Sequence, residues 1–473
     1  MNDSNKSQLT AAGLTLLILG QLMPQMDFSI VNVALDAIRQ TLQASDLQLG
    51  LVVSLYGLAF SVFLAMSGRL GDRYGRKKLF MVGICLFALS SLLCGMAQTI
   101  YLLIGARILQ GVAAALLMPQ ILATIHVSLS GERHSKAIGL YGSVGGLSFV
   151  IGQILGGWLV SADLFGMGWR SVFYLNLPFC AAILYFGKKH IPETKEQHAM
   201  SLDGLGTLLF AIIVGLILTS ISLGAEDHWS WHIWGLLVVT IPLGVLLWNI
   251  ERRKEASNDA PLLPPSLLKE PNVQAGMFSL MMLSATFGGF MFVVALTLQS
   301  GFQWPAYASG NGFLGLGLSY FAGSLMVAKI AKMMGKSAFR GVMILGAVLC
   351  LIGYVYLYTT LTQYAESLTA TVLFLPMVVV GVGNAFVVNS AIRIGLSGIP
   401  AKFAGVGSAL MTTLQQAALA LGTALAGAFY TQHIEASDRF QLHALQAGLW
   451  VLTVFISVLL IFNLLLLFKR RHG

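Results

Sequence analysis

The sequence predicts an all-α polytopic membrane protein of fourteen spanning helices with both termini in the cytoplasm. Three observations carry this. Of 473 residues, 56% are hydrophobic and only 10% are charged, far from the composition of a soluble domain. The apolar residues are gathered into runs of about 20, the length needed to cross a bilayer as a helix. The basic residues are also one-sided. With the N-terminus inside, 24 of the 28 Lys and Arg fall in inside segments; only Arg39, Arg170 and Arg439 fall outside, and Arg107 lies within a span. That is the asymmetry of the positive-inside rule, and dropping one helix would invert part of it.

The spans cover about residues 10–34, 47–67, 79–97, 101–126, 136–160, 171–187, 203–223, 232–250, 273–299, 309–328, 341–360, 367–392, 403–430 and 445–468. The first is long and contains an acid, so it reads as a retained helix and not a cleaved signal peptide. Spans 2 and 3 are joined by Gly68-Arg-Leu-Gly-Asp-Arg-Tyr-Gly-Arg-Lys-Lys78, eleven residues with five cations and three Gly. The cations favour the inside, and Gly permits the sharp return. Pro119 and Pro178 are expected to kink spans 4 and 6. The Pro-rich connector 251–272 is the longest inside loop and marks the approach to a second half. Gly111-Val-Ala-Ala-Ala on span 4 is echoed by Gly381-Val-Gly-Asn-Ala on span 12, a faint sign of the parallel six-helix repeats that some transporter folds carry.

Two ionisable residues lie well inside spans, Asp27 on span 1 and Arg107 on span 4. A charge at membrane depth costs a few kcal/mol or more, so such residues usually face an internal cavity and carry function. Asp27 lies seven residues before the outer end of its span and Arg107 six after the start of its own. At 1.5 Å per residue, both sit about 10 Å below the outer surface. Desolvation opposes ionisation of such a carboxylate and a nearby Arg favours it, which suits an acid that takes up and releases a proton. Gln110, one turn beyond Arg107, shares that face. A fixed salt bridge that merely lets both charges be buried would give the same pattern. Asp36 reads as a helix-end residue at the outer mouth.

Span 5 carries Gly142, Gly145, Gly146, Gly152, Gly156 and Gly157. The pairs 142/146 and 152/156 have the spacing that bares backbone for close helix approach, either as tight packing or as a seam between moving halves. In the second half Phe287, Phe290, Met291 and Tyr320 could line an adaptable greasy pocket, since Met and aromatic faces tolerate varied ligands and attract cations. Packing or lipid exposure explains the same stripe. There is no phosphate-binding loop and no nucleophile–base motif, which argues against an ATP-driven pump or an enzyme. All four Cys lie in apolar runs, so neither a disulfide framework nor a metal site is indicated. The +9 formal charge is scattered over short connectors, so it reads as lipid orientation and not as a nucleic-acid surface.

These motifs together resemble the fourteen-helix drug–proton antiporter branch of the major facilitator superfamily. Gly68, Gly71, Asp72, Arg73, Gly75 and Arg76 are similar to that family's loop between helices 2 and 3, which latches the cytoplasmic side. Asp27-Phe-Ser-Ile-Val-Asn-Val-Ala-Leu35 resembles its helix 1 motif, Arg107-Ile-Leu-Gln-Gly111 its helix 4 motif, and Trp169-Arg-Ser-Val-Phe-Tyr-Leu-Asn-Leu-Pro178 its helix 6 entry. One departure stands out. The antiporter motif of helix 5 ends in Gly-Pro-x-x-Gly-Gly, and here Gln153 replaces Pro in Gly152-Gln-Ile-Leu-Gly-Gly157. The kink expected there is put in doubt, and export is less secure as the direction.

The resemblance implies two six-helix bundles, residues 1–190 and 273–473, flanking two additional helices and a linker at 191–272. It implies a proton-coupled antiporter exporting lipophilic, monovalent cationic or neutral drugs by alternating access. Asp27 would be the exchange residue and Arg107 would take the proton-relay position. The expected setting is the bacterial cytoplasmic membrane, as a monomer in the lipid bilayer, with protons and a small lipophilic molecule as partners and no cofactor. A proton-coupled transporter of a specific metabolite or organic anion is the alternative. A non-transporting receptor on the same fold is the remaining one.

Overall fold

A computed structural model of the chain describes residues 9–195, 203–226, 230–257, 259, 261–334, 338–399, 404–434 and 438–472. Among these, helices cover all fourteen expected segments and no strand occurs. They are α1 (Ala11–Ile30), α2 (Asp46–Tyr74), α3 (Arg76–Gly95), α4 (Ile100–Ser128), α5 (Gly131–Ala162), α6 (Asn176–His190) and α7 (Gly204–Glu226). The series continues with α8 (Trp231–Ala256), α9 (Pro271–Leu296), α10 (Leu314–Met334), α11 (Ala338–Gln363), α12 (Ala370–Ser397), α13 (Ala404–Gln432) and α14 (Leu442–His472).

Local chemistry sets the ends. Thr10 and Thr99 accept the N–H of Gly13 and Leu102, and Ser45 and Gln48 form a reciprocal capping box for α2, satisfying donors a helix start leaves free. Gly75 ends α2 with φ +108°, a backbone geometry that L side chains rarely adopt. Pro178 has no N–H to offer Tyr174, so the helical ladder lapses at Leu175, which keeps helical φ/ψ, between a short helix, Ser171–Tyr174, and α6.

Twelve helices are long and apolar enough to cross a membrane by length and composition, counted over the described residues. Leu147–Ala162 of α5 is a further, shorter apolar stretch among the described residues. Both α5 and α13 pack closely against other helices. α13 packs against α2 and α9, and α5 packs against α1, α10 and the short helix Ala306–Gly312. Small residues let these helices approach: Gly57 lies against Ala420, and Gly289 against Ala426.

α7 lies along both α2 and α13, with Leu209, Phe210 and Val214 packed between Val62 and Ala417. It covers one side of the junction between the first and last helix groups. α8 packs on α7 and turns Trp231, Trp234, Val238 and Ile241 outward.

Candidate functional site

The structure brings Asp27, Arg107 and Gln110 together, all with no exposure. Oδ2 of Asp27 pairs with Nη1 of Arg107, and Oδ1 accepts from Nε2 of Gln110 at 2.9 Å. Gln110 also accepts from Nη1 of Arg107 at 2.7 Å, so it touches both members of the ion pair. Arg107 is fixed further by Nε donating to the carbonyl of Val52 at 3.1 Å. Its guanidinium lies 4.0 Å from the centre of the Tyr56 ring, a cation–π contact. The Tyr56 hydroxyl in turn donates to the carbonyl of Pro24 at 2.8 Å.

Two partners were not singled out in the sequence. Asn176, at the start of α6, donates Nδ2 to Oδ1 of Asp27 at 2.9 Å. Ser91 on α3 accepts from both Gln110 and Asn176, at 2.9 and 3.2 Å. Asn176 sits inside the motif running from Trp169 to Pro178, and that position was the available signal. The cluster therefore joins α1, α2, α3, α4 and α6, and it is held within the first helix group. Nη2 of Arg107 and Oδ1 of Asn176 are buried without a hydrogen-bond partner, groups that a water, a proton rearrangement or a moved helix could satisfy.

The loop at 68–78 is built from its own motif. Arg76 holds Oδ1 of Asp72 through Nε at 3.0 Å and Nη2 at 2.6 Å. A Cβ on Gly71 would overlap the side chain of Gln120, which donates to the carbonyl of Ser67 at 2.8 Å, whereas Gly68 meets Pro119 at an ordinary 3.6 Å. Arg73 stacks over Tyr74. Glu193, unmarked by the sequence, accepts the N–H of Lys77 and Lys78 at 3.1 and 3.2 Å, an anion at a helix start.

α5 runs unbroken from Gly131 to Ala162 through Gln153. Gly152 and Gly156 face α1: Cβ atoms there would meet Met26 and Ser29, and Ile30 and Val33. Gly157 instead faces Ala306 and Tyr307, and the carbonyl of Gln153 approaches Gly310. Gly142 and Gly146 belong to the helix, but their surroundings lie outside the described residues. The Gln153 amide is buried with neither atom hydrogen-bonded. Nearby, Gln299 donates to the carbonyl of Asn32 at 3.2 Å, Ser300 to Asp36 at 3.4 Å, and the N–H of Tyr307 to Ser161 at 3.1 Å. The two helix groups are thus joined at the end opposite the 68–78 loop.

The four greasy residues are not brought together. Phe287 packs edge-on against Phe149 at 5.3 Å, which meets Phe28 at 6.0 Å, so this one reaches across the groups. Phe290 stacks on Tyr354 at 5.5 Å, Met291 is core, and Tyr320 packs in a separate cluster with Phe386. An open groove of about 480 Å³ lies between α5 and Ala306–Gly312 beside Trp158 and Tyr307, away from Asp27.

A multi-pass helical protein with an ion pair fully buried in its first helix group and glycine-lined seams between helix groups belongs to the class of membrane transporters. The chain belongs to the Major Facilitator Superfamily, whose family model matches residues 17–202 and 191–423. It is accordingly not an enzyme. It is 30% identical over 422 residues to the probable actinorhodin transporter of Streptomyces coelicolor, covering 89% of this chain and 72% of that one. It is 32% identical over 418 residues to the puromycin resistance protein pur8 of Streptomyces alboniger, covering 87% and 80%. The multidrug resistance protein Stp of Mycobacterium tuberculosis is 26% identical over 439 residues, covering 92% and 78%. Among solved structures, a POT family transporter in complex with 5-aminolevulinic acid aligns with TM-score 0.66 at 15% identity over 96% of each chain, a likeness of fold.

Proposed function

We propose that the chain is a proton-coupled antiporter that exports lipophilic, monovalent cationic or neutral small molecules by alternating access. The observation that carries this reading is the buried Asp27–Arg107–Gln110 cluster. Its carboxylate can exchange a proton only by rearranging the three donors on it, which ties protonation to movement of α1, α4 and α6. Protonation from outside would loosen the cluster and promote substrate release; loss of the proton inside would reset it. Relatives named for resistance or export, including the tetracenomycin C resistance and export protein of Streptomyces glaucescens, support the outward direction.

In this reading residues 1–190 and 273–473 are the two six-helix bundles, and 191–272 supplies two further spans and the linker, fourteen in all. Gly68, Gly71, Asp72, Arg73, Gly75 and Arg76 form the inner latch, and the Gly-rich face of α5 is the seam on which the bundles rock. Phe287, at the aromatic contact between bundles, is the pocket residue best placed to meet substrate. The protein works as a monomer in a bacterial cytoplasmic membrane, driven by protons and without a cofactor.

The test is proton movement in reconstituted vesicles under an imposed pH gradient, with lipophilic cations, neutral drugs and organic anions added in turn. Cation-triggered proton flux that disappears in Asp27→Asn is expected. Flux triggered only by anions would move the protein to the metabolite reading, and undiminished export by a folded Asp27→Asn would remove Asp27 from the mechanism.

A further inference from the structure

A second set of ionisable side chains is buried far from Asp27 in sequence, where α7, α8 and the linker meet. Asp203, just before α7, and Glu251, in the last two turns of α8, are each 1% exposed. Their carboxyl groups lie within hydrogen-bonding reach of each other. A Cβ at Gly206 would touch Oε1 of Glu251 and stand 2.6 Å from Oδ2 of Asp203, so both oxygens face one point.

The donors are unequally shared. Asp203 accepts from the N–H of Gly206 at 2.7 Å, Nζ of Lys254 at 2.5 Å and the N–H of Leu262 at 2.9 Å. Glu251 accepts only the N–H of Leu263, at 3.0 Å on Oε2, and Oε1 is buried with no partner. An unpartnered carboxylate oxygen against a second carboxylate is an arrangement two ionised groups resist strongly. One proton on Oε1, donated to Asp203, satisfies both.

We propose that Glu251 and Asp203 form a proton-binding site, a carboxyl–carboxylate pair that shares one proton and clasps the linker to the inner ends of α7 and α8. The proton belongs on Glu251. Burial pushes the Asp203 carboxyl up, but Lys254 and the two backbone N–H groups outweigh it and hold Asp203 below the usual carboxylate range.

The clasp engages three consecutive linker residues. Arg69 of α2 donates to the carbonyl of Pro261 at 2.6 Å, Asp203 takes the N–H of Leu262, and Glu251 takes that of Leu263. The charges facing the pair are Arg69 from α2, Lys254 from α8 and Asp259 from the linker. With Glu251 neutral, the two cations balance Asp203 and Asp259. Loss of the proton adds an uncompensated negative charge and loosens the strap between linker and first bundle. The site is separate from the coupling proposed at Asp27 and stands whether or not that reading holds.

Infrared spectroscopy of the full-length protein in lipid nanodiscs, titrated with pH, tests this. A protonated-carboxyl C=O band is expected at neutral pH, lost on alkalinisation, absent in Glu251→Gln and retained in Asp27→Asn. A spectrum without any band sensitive to Glu251→Gln would overturn the site. Thermal unfolding gives a second readout. Because the folded pair holds a proton that the unfolded chain does not, stability should fall as pH rises until the proton is lost. Glu251→Gln, which mimics the protonated form, should match the wild type at acid pH and escape that fall. A Gln variant that is destabilised at acid pH, beside a wild type insensitive to alkaline pH, would show Glu251 ionised and overturn the proposal. If Glu251→Gln does not fold, Asp203→Asn must shift the C=O band by replacing its acceptor, and an unshifted band would equally overturn the pair.

Discussion

Asn176 donates to the same oxygen of Asp27 that Gln110 holds, each at 2.9 Å, and both also donate to Ser91. Two neutral amides on different helices thus share one carboxylate oxygen while Arg107 takes the other. Losing a hydrogen bond to a buried charge costs about 1–3 kcal/mol. Asn176→Ala should lower the unfolding temperature accordingly, read by thermal denaturation in detergent. Asn176→Asp places a second carboxylate against the first and should be worse than Ala; equal stability of the two would mean that Asn176 does not engage an ionised Asp27.

The Asp27–Arg107 pair is fully buried, and removing one partner from such a pair costs about 3–5 kcal/mol because the other charge is left unmatched. Asp27→Asn and Arg107→Gln should each destabilise strongly. The double variant should recover much of the loss, since two neutral amides remain. A double-mutant cycle measures this directly. Additive losses would show that the two side chains do not act as a unit.

Which parts of this were readable from the chain follows from energetics. Asp27 and Arg107 stand out because a charge within an apolar run is rare and costly, and Gln110 follows by helical spacing. Asn176 and Ser91 do not, because uncharged polar residues are common in spans and nothing local says which helices meet. The expected spans and their direction rest on run length and the 24-to-3 distribution of Lys and Arg. Which helices α5 and α13 pack against is likewise set by tertiary structure. The Asp203–Glu251 pair was hidden for a similar reason. Each falls at the edge of a span, where an acid reads as ordinary loop chemistry until the linker is seen folded over it.

Gly75 links α2 to α3 at φ +108°, and a Cβ there would lie 2.8 Å from the carboxylate of Glu193. Gly75→Ala therefore combines backbone strain with displacement of the group that accepts the Lys77 and Lys78 N–H. The strain alone should cost about 1 kcal/mol or more. Limited proteolysis from the cytoplasmic side should cut the 68–78 loop faster in this variant. Unchanged cleavage and unfolding temperature would show the loop adapting without loss.

Gly157 bears on the outer contact between the bundles. A Cβ there would overlap the carbonyl of Ala306 and come within 2.9 Å of the Cα of Tyr307. Backbone cannot yield as a flexible side chain can, so Gly157→Val should hold α5 and Ala306–Gly312 apart. The neighbouring contacts, Gln299 to Asn32, Ser300 to Asp36 and Tyr307 to Ser161, would then be lost together. Gly156, which faces Ile30 and Val33 of its own bundle, provides the contrast: its substitution should harm folding without favouring an open outer end. A single Cys at Asn32, in a chain cleared of Cys85, Cys94, Cys180 and Cys350, reports the difference through labelling by an impermeant maleimide from outside. Asn32 has no exposure in the closed form, so labelling should be slow while Gly157 is kept and markedly faster in the Gly157→Val variant. Equal rates would show that the Gly157–Ala306 approach is ordinary packing and that opening of the outer end is governed elsewhere.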